Sequence, residues 1–331
     1  MMKRKRSLRW IVRILLVLIA VLLLAPVLIP LPTVGVDAET LAEADGHFID
    51  VNGLETYYRE QGDPNGDVVL LLHGWGASTF SYRDTLPALA EAGYRVIAFD
   101  RPPYGLSTKT GENLPFGLRQ QAEFTAAFMD ALGIERASLV GHSMGGGVIT
   151  YFTVMYPERV DKLVFVAGVF VGQEPGEDNP TRQASPLASI VQFQPVEWWA
   201  RVLMRAFIRQ DSLANFQRSA YFNQEVVTRE VILGYGEPLL VENWDATILD
   251  VFFRSYPQDE PLTTDEVAGI TNPSLIVWGE QDTWVPISAG ERMRELLPNV
   301  EWITYANVGH LPMEEAVEQF NADVIAFLGR E

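Results

Sequence analysis

The sequence contains no cysteine, and it contains only four histidines in 331 residues. The absence of cysteine excludes disulfide bonds, a thiolate nucleophile and any metal site built from cysteine ligands. The histidines are few enough to be considered one at a time as candidate bases. They are His47, His73, His142 and His310.

Basic residues are scarce once the first thirteen positions are set aside. The formal net charge is −18, with 25 basic and 43 acidic residues, and six of the basic residues precede residue 14. These six are Lys3, Arg4, Lys5, Arg6, Arg9 and Arg13. The remainder of the chain is strongly acidic, which argues against nucleic acid as a partner, because a surface that binds phosphates needs positive charge.

An uncharged segment, Ile14–Leu31, follows the basic cluster and is interrupted by Pro26 and Pro30. As a helix it would span about 27 Å, close to the thickness of the hydrocarbon core of a bilayer. We therefore expect residues 1–37 to form a cytoplasmic tail, a transmembrane anchor and a linker. The basic cluster should stay inside the cell, which places the following domain outside the cytoplasm.

A cleaved signal peptide and a secreted protein are the alternative to this anchor. The apolar core of a signal peptide usually has only about 7–15 residues, fewer than this segment provides. A weak cleavage pattern at Val36–Ala38 lies well beyond the apolar run. The sequence favours the uncleaved anchor.

Strand and helix patterns alternate over residues 38–169 and again over 269–331, which predicts a core with a mainly parallel sheet flanked by helices. Asn52 and Gly53 separate two strand patterns and predict a hairpin. The interval 170–268 instead shows helical patterns rich in aromatic residues. It predicts a helical cap over the sheet, reached through a loop at Pro175–Pro186.

The end of the chain has the apolar spacing of a helix. Met313, Val317, Phe320, Val324 and Leu328 would face the core, and Glu314, Glu318 and Asp323 would face outward. The sequence predicts one continuous C-terminal helix.

A glycine-rich motif, Gly141–Gly146, follows a predicted strand and precedes a predicted helix. This context is typical of a nucleophile elbow, in which a tight turn exposes the hydroxyl of a serine, here Ser143. Gly141 and Gly145 leave room where larger side chains would collide. Ser143 is the candidate nucleophile.

A serine hydroxyl is a weak nucleophile and needs a neighbouring base. His47 begins the first hairpin, and His73 belongs to a separate motif. His142 adjoins the serine, and we expect its side chain to point away from the tip of the elbow. This leaves His310, in a loop after the last predicted strand, as the candidate base.

The base needs a carboxylate that orients it. The loop after the strand pattern Ser274–Trp278 offers Glu280 and Asp282. Asp282 is favoured, and Glu280 is the competing candidate. The order serine, aspartate, histidine differs from the chymotrypsin and subtilisin orders.

An oxyanion intermediate needs backbone donors. His73 and Gly74 begin the motif His73–Gly76, which follows a strand pattern at the expected end of the sheet. We expect the N–H groups of Trp75 and Met144 to form the oxyanion hole. An ordinary glycine-rich turn is the alternative for this motif.

These motifs, together with Asp100–Ser107, Trp278–Asp282 and Gly309–His310, resemble those of the α/β-hydrolase superfamily in order and spacing. The resemblance covers roughly residues 46–330 and is least specific at 170–268. It implies an eight-stranded, mostly parallel sheet with a helical cap that shapes the substrate pocket. Relatives with this motif set include carboxylesterases, monoacylglycerol-lipase-like enzymes and meta-cleavage-product hydrolases. Pro103 departs from the pattern, since many relatives have glycine there.

The resemblance and the residues together predict a serine hydrolase. Epoxide hydrolases and haloalkane dehalogenases use an aspartate nucleophile, and Ser143 argues against both. The favoured substrate is a carboxylic ester with an apolar acyl or aryl group. The alternatives are hydrolysis of a C–C bond, acyl transfer to an acceptor other than water, and a ligand-binding protein without catalysis. No metal or organic cofactor is implied, and the oligomeric state stays open.

Overall fold

The computed structural model describes residues 2–111, 113–173, 190–191, 193–253 and 260–330. Within them, eight strands form one sheet of order β1-β2-β4-β3-β5-β6-β9-β10, and β7 pairs with β8 in a separate ribbon. The strands are β1 (Gly46–Val51), β2 (Leu54–Gly62), β3 (Val68–Leu72), β4 (Arg95–Phe99), β5 (Ala137–His142), β6 (Val160–Val166), β7 (Gly172–Gln173), β8 (Leu262–Thr263), β9 (Ser274–Gly279) and β10 (Val300–Tyr305).

The large sheet is antiparallel at one edge and parallel elsewhere. Strand β2 runs antiparallel to both of its neighbours, β1 and β4. All other neighbouring pairs are parallel. The expected eight-stranded, mostly parallel sheet of the α/β-hydrolase fold is confirmed.

The predicted hairpin at Asn52 and Gly53 is also confirmed. Val51 pairs with Leu54, and both turn residues have positive φ, 55° and 83°. A two-residue turn with this geometry matches the twist of the flanking strands, and asparagine followed by glycine tolerates it best.

Helices cover both faces of the sheet. Leu70 and Leu72 of β3 pack with α3, α4 and α10, and Val69 and Leu71 pack with α2 and α12 on the other face. The described helices are α1 (Met2–Leu28), α2 (Thr85–Glu91), α3 (Leu118–Ala131), α4 (Met144–Met155), α5 (Gln194–Phe207), α6 (Ala214–Arg218), α7 (Arg229–Gly236), α8 (Trp244–Phe253), α9 (Thr264–Ala268), α10 (Ile287–Leu296), α11 (Pro312–Glu315) and α12 (Val317–Leu328).

Apart from β7 and β8, the regular secondary structure in the described part of the interval predicted to form the cap is helical. These two short strands pair in parallel, Gly172 with Leu262 and Gln173 with Thr263. Their pairing brings the two ends of the interval together. The loop predicted at Pro175–Pro186 lies outside the described residues. The division into a core of 38–169 and 269–331 and a cap of 170–268 stays a prediction.

The C-terminal helix departs from the sequence-based expectation. It is two helices, α11 and α12, separated at Ala316, where φ is −131° and ψ is 47°. The prediction that Glu314 faces outward is wrong, since this side chain is buried. The break allows α11 to direct Glu314 towards polar partners while α12 packs its apolar face on the sheet.

Candidate active site

Ser143 lies between the last residue of β5 and the first residue of α4, as the elbow motif predicts. Its φ is 50° and its ψ is −118°, a conformation that costs energy for a residue with a side chain. The backbone holds it there. Its N–H donates to the oxygen of Val166 (2.9 Å), and its carbonyl accepts from Gly146 (2.9 Å) and Val169 (3.0 Å).

The motif glycines are required by close approach of the backbone. A Cβ atom on Gly141 would lie 2.5 Å from the carbonyl oxygen of Gly145, and one on Gly145 would overlap the carbonyl oxygen of Leu72. A Cβ atom on Gly74 would lie 2.9 Å from His142 Nδ1 and 3.2 Å from Ser143 Cβ. The motif after β3 therefore lies directly against the elbow.

His310 and Asp282 are brought together by the loops after β10 and β9. His310 Nδ1 lies 2.7 Å from Asp282 Oδ2, and the other carboxylate oxygen accepts from the N–H groups of Trp284 (2.8 Å) and Val285 (3.0 Å). Both side chains are almost fully buried. With Nδ1–H donating to the carboxylate, Nε2 of His310 is the nitrogen able to accept a proton.

The competing carboxylate lies elsewhere. Glu280 is exposed, and its Oε1 accepts from the hydroxyl of Thr304 (3.2 Å). Of the two acidic residues in this loop, Asp282 is the one that contacts His310.

The expectation for His142 is wrong, because its side chain does not turn away from the site. Its Nε2 lies 2.9 Å from the backbone oxygen of His310, and the two imidazole rings are 4.7 Å apart. Burial lowers the pKa of His142 well below its ordinary value, and the neighbouring His310 lowers it further. A neutral His142 donates from Nε2, so its contact with His310 holds the predicted base beside the elbow.

The two predicted oxyanion donors are available. Within the described part of the chain, the N–H groups of Trp75 and Met144 have no hydrogen-bond partner. Gly74 abuts Ser143, so the segment that carries Trp75 lies next to the elbow. An oxyanion hole formed by these two N–H groups stays a prediction.

His73 fixes the loop that carries Trp75. Its Nδ1 donates to the carbonyl of Gly74 (2.7 Å), and its Nε2 accepts from the N–H of Arg101 (3.1 Å). Burial lowers the pKa of His73 well below its ordinary value, and the charge of Arg101 adds to this effect. His73 is therefore a neutral structural residue.

The Asp100–Ser107 motif forms a tight loop around a buried carboxylate. Asp100 accepts from the N–H groups of Thr79 (2.6 Å) and Leu106 (2.7 Å). Pro103, the departure from the family pattern, follows a cis peptide bond, and its carbonyl accepts from Lys109 Nζ (3.3 Å). Burial lowers the pKa of Lys109 to about 8. Nothing in the sequence marked this lysine.

Two glutamates that the sequence analysis did not connect with the site support the His310 loop. Glu315 Oε1 accepts from the N–H of Gly309 (2.8 Å), and Oε2 accepts from Phe222 (2.9 Å) and Asn223 (2.7 Å). Glu314 accepts from the hydroxyl of Tyr221 (2.7 Å) and from Arg83, at 2.8 Å. Both glutamates lie within five residues of His310, which is the one hint that the sequence contains. Helical spacing could not predict their hydrogen-bond partners, because most of these lie in distant segments of the chain.

Aromatic rings surround the candidate triad. The ring of Trp284 is 5.4 Å from that of His310 and 4.6 Å from that of Phe216. The ring of Trp75 is 4.8 Å from that of Phe252. Phe216 and Phe252 come from helices α6 and α8, so the interval 170–268 supplies apolar walls to the site.

No group of three or more acidic or histidine side chains among the described residues is placed to hold a metal ion. The expectation that the chain uses no metal or organic cofactor stays a prediction.

Comparison with known sequences finds relatives that are named as hydrolases. A 2-hydroxy-6-oxononadienedioate/2-hydroxy-6-oxononatrienedioate hydrolase of Burkholderia vietnamiensis is 31% identical over 289 residues, which cover 84% of this chain and 92% of the relative. An uncharacterised hydrolase of Bacillus subtilis is 26% identical over 279 residues, covering 84% of this chain and 96% of the relative.

Solved structures show the same architecture. A mutant of a meta-cleavage product hydrolase is 25% identical, with a TM-score of 0.67, and covers 86% of this chain and 97% of its own. A membrane phospholipase A, described as a bacterial virulence factor, is 26% identical, with a TM-score of 0.66, and covers 98% of both chains. A family model described as the alpha/beta hydrolase fold matches residues 67–317. With this match over most of its length and with its mostly parallel sheet, the chain belongs to the α/β-hydrolase family.

Proposed function

We propose that the chain is a serine hydrolase that cleaves carboxylic esters of apolar acyl or aryl groups through an acyl-enzyme. The observation that carries the proposal is the 2.7 Å contact of His310 Nδ1 with Asp282 Oδ2, next to an elbow that holds Ser143 at positive φ. This arrangement leaves His310 Nε2 as a base for the serine hydroxyl.

The geometry supports a two-step reaction. Ser143 Oγ attacks the ester carbonyl and gives its proton to His310 Nε2, while the N–H groups of Trp75 and Met144 stabilise the oxyanion. His310 then protonates the leaving alcohol, and the acyl group stays on Ser143. A water molecule, deprotonated by His310, attacks the acyl-enzyme and releases the acid. Asp282 stabilises the charged imidazole in both steps.

The surroundings of the triad favour an apolar substrate. The faces of aromatic rings carry negative charge density, so rings such as Trp284, Phe216 and Phe252 accommodate an acyl chain better than a carboxylate. The match to a membrane phospholipase A supports the same proposal, because it extends over 98% of this chain. Since α1 has 27 residues, that share includes most of it.

Hydrolysis of a C–C bond is the second candidate. Two curated relatives, 31% and 30% identical, carry names of dienedioate and trienedioate hydrolases, and a solved relative is a meta-cleavage product hydrolase. These names support the C–C alternative better than they support ester cleavage. Their substrates bear two carboxylates. The rings of Trp284 beside His310 and of Phe252 beside Trp75 offer an apolar surface instead of a partner for a carboxylate.

One assay separates the two candidates. The purified protein is given aryl esters of short and long acyl chains and, separately, a dienedioate of the meta-cleavage type. We expect turnover of the esters, labelling by a fluorophosphonate at Ser143, and loss of both in Ser143→Ala. The exposed Ser288→Ala is the matched control and should behave as wild type. Turnover of the dienedioate without turnover of any ester would select the second candidate.

We further propose that α1 is an uncleaved membrane anchor and that the domain lies outside the cytoplasm. In the described chain, Trp10–Leu28 is long and apolar enough to cross a bilayer, and 6% of this segment is buried. The preceding basic residues support this orientation. The alternative is cleavage of this helix as a signal sequence, followed by secretion.

Membrane fractionation and mass spectrometry test the anchor. Full-length protein should stay with the membrane through an alkaline wash, and external protease should digest the domain in cells without an outer barrier. An N-terminus near Glu39 would establish secretion instead, and protection from protease would reverse the topology.

A further inference from the structure

Two carbonyl groups near the end of α1 have no donor in their own helix. In an α-helix, the oxygen of a residue accepts from the N–H four residues later. The donors for Leu22 and Pro26 would be residues 26 and 30, and both are proline. Proline has no N–H, so the sequence leaves both oxygens unpaired within a segment that is otherwise apolar.

The helix α5 provides the missing donors. Trp199 Nε1 donates to the oxygen of Leu22 (3.0 Å), and Gln194 Nε2 donates to the oxygen of Pro26 (2.8 Å). Trp198 Nε1 donates to the oxygen of Ile29, just past the helix, at 2.9 Å. Unpaired carbonyls are costly in lipid, and neighbouring helices are one way of satisfying them.

The contact with Leu22 fixes the depth of α5. Leu22 precedes the last residue of the apolar segment, Leu28, by six residues, which is about 9 Å along a helix. If α1 spans a bilayer, α5 cannot lie in bulk water away from it. Trp198 and Trp199 would then lie at the membrane interface, where tryptophan is enriched.

One face of α5 is apolar, and it is exposed beyond the contact of Trp199 with α1. Trp199, Leu203 and Phe207 are spaced four residues apart and form one stripe along the helix. Leu203 is 55% exposed and Phe207 is 75% exposed. Such a helix, with an apolar face and a polar face, is typical of helices that lie in the plane of a membrane interface.

The opposite face of α5 is polar and contacts α8 within the interval 170–268. Arg201 and Arg205 both contact the buried carboxylate of Asp245 on α8, at 2.7 Å and 2.8 Å. The far end of α8 carries Phe252, which contacts Trp75 beside the elbow. Phe252 is itself 55% exposed. The helix α8 thus connects the aromatic wall of the active site with the helix that α1 holds.

We propose that α5, held by the membrane-spanning α1, lies in the bilayer surface and that the enzyme takes its substrate, an acyl ester of a membrane lipid, directly from the lipid phase. This inference rests on the proposed ester hydrolysis and on the uncleaved anchor. A second copy of the chain covering the same stripe is the competing occupant.

The absence of native cysteine allows a direct test of the position of α5. Full-length Phe207→Cys and a control, Ser288→Cys, are spin-labelled and reconstituted in phosphatidylcholine vesicles. Ser288 is exposed and lies outside the interval 170–268. The label at position 207 should collide more with oxygen, which concentrates in lipid, than with a water-soluble nickel chelate, and the label at 288 should show the reverse. Equal access of the chelate at both positions, or dipolar broadening at 207 that disappears on dilution with unlabelled protein, would overturn the proposal.

The proline–tryptophan pairing has its own test. Trp199→Phe removes the donor to Leu22, and Pro26→Ala restores a helical N–H to the same oxygen. The Trp199→Phe variant should cleave a long-chain ester in vesicles several-fold more slowly relative to a soluble short-chain ester. Adding Pro26→Ala should recover much of that loss. If Pro26→Ala does not restore the activity lost in Trp199→Phe, the hydrogen bond from Trp199 to Leu22 does not position α5 for cleavage of the long-chain ester.

The stripe is tested by comparing the same two substrates. Leu203→Glu combined with Phe207→Glu should lower the ratio of vesicle to soluble activity at least tenfold. Ser288→Glu combined with Gln319→Glu adds the same charge at exposed positions outside the interval 170–268 and should keep the ratio. Wild type that cleaves neither ester would overturn the proposed function, and the inference with it. Wild type that cleaves the soluble ester, with an unchanged ratio in the stripe variant, would overturn the inference alone.

Discussion

The Nε2 atom of His142 lies 2.9 Å from the backbone oxygen of His310, and their rings are 4.7 Å apart. A residue adjacent to the nucleophile thus contacts the predicted base. Because burial lowers the pKa of His142, this side chain stays neutral beside an imidazole that must gain a proton during the reaction. When His310 gains a proton during the reaction, the neighbouring imidazole of His142 therefore carries no charge that would repel it.

Stability should depend on pH through the two buried neutral histidines, His73 and His142. Their pKa values are lowered in the folded state and are near 6.5 in the unfolded state. As the pH falls below about 6.5, the unfolded state binds more protons, so the free energy of unfolding decreases. Each histidine contributes a slope of about 1.4 kcal/mol per pH unit until its folded pKa is reached.

Urea unfolding of wild type and His142→Asn between pH 7 and pH 5 measures this effect. The variant should show the shallower dependence, because one of the two histidines is gone. His47→Asn is the control, since this histidine is exposed. A slope identical in wild type and His142→Asn would contradict the neutral, buried state of His142.

Asp282→Asn should lower kcat by about three to four orders of magnitude, the usual effect of losing the carboxylate that orients the histidine. Glu280→Gln should have a far smaller effect, because Glu280 is exposed and contacts Thr304. Steady-state kinetics on the same ester measure both variants. The opposite ranking would assign the orienting role to Glu280.

Gly74→Ala should reduce turnover at least tenfold, because the added methyl group would lie 2.9 Å from His142 Nδ1 and 3.2 Å from Ser143 Cβ. Overpacking of this kind also costs about 1–3 kcal/mol of stability. The exposed Gly111→Ala is a matched control, since its nearest neighbour would be 3.9 Å away. Activity and melting temperature of both variants are compared, and equal behaviour would argue against a tight fit of the loop on the elbow.

Glu315→Gln should loosen the His310 loop and lower kcat more than it raises KM. An amide has one oxygen, so it cannot accept from Gly309 and from Phe222 and Asn223 together. Hydrogen bonds to a charged group contribute about 1.5–3 kcal/mol each. The exposed Glu318→Gln on α12 is the control and should resemble wild type. A loss confined to KM would indicate a role in substrate access rather than in positioning His310.

Much of the fold followed from local patterns. The alternation of strand and helix patterns predicted the mainly parallel sheet, and Asn52 with Gly53 predicted the hairpin. The strand, turn and helix around Ser143 were predicted for the same reason. In each case a few adjacent residues determine the backbone conformation, so the information lies within the segment itself.

The partners of the site residues were harder to predict. Helical spacing placed Glu314 on the outside, but the break at Ala316 and the side chains of Tyr221 and Arg83 bury it. His142 was expected to point away, and it packs on His310. Both errors concern contacts between segments far apart in the sequence, which no pattern within one segment can specify.

The sequence by itself determined the sheet, the elbow and the candidate triad of Ser143, Asp282 and His310, because strand, turn and helix preferences act over a few residues and a fixed motif order restricts the candidates. It also determined that Leu22 and Pro26 would lack helical donors, since proline has no N–H. The tertiary structure alone decided that Trp199 and Gln194 supply those donors. Segments some 170 residues apart meet only when the chain closes on itself, and unpaired polar groups then select the neighbours that satisfy them.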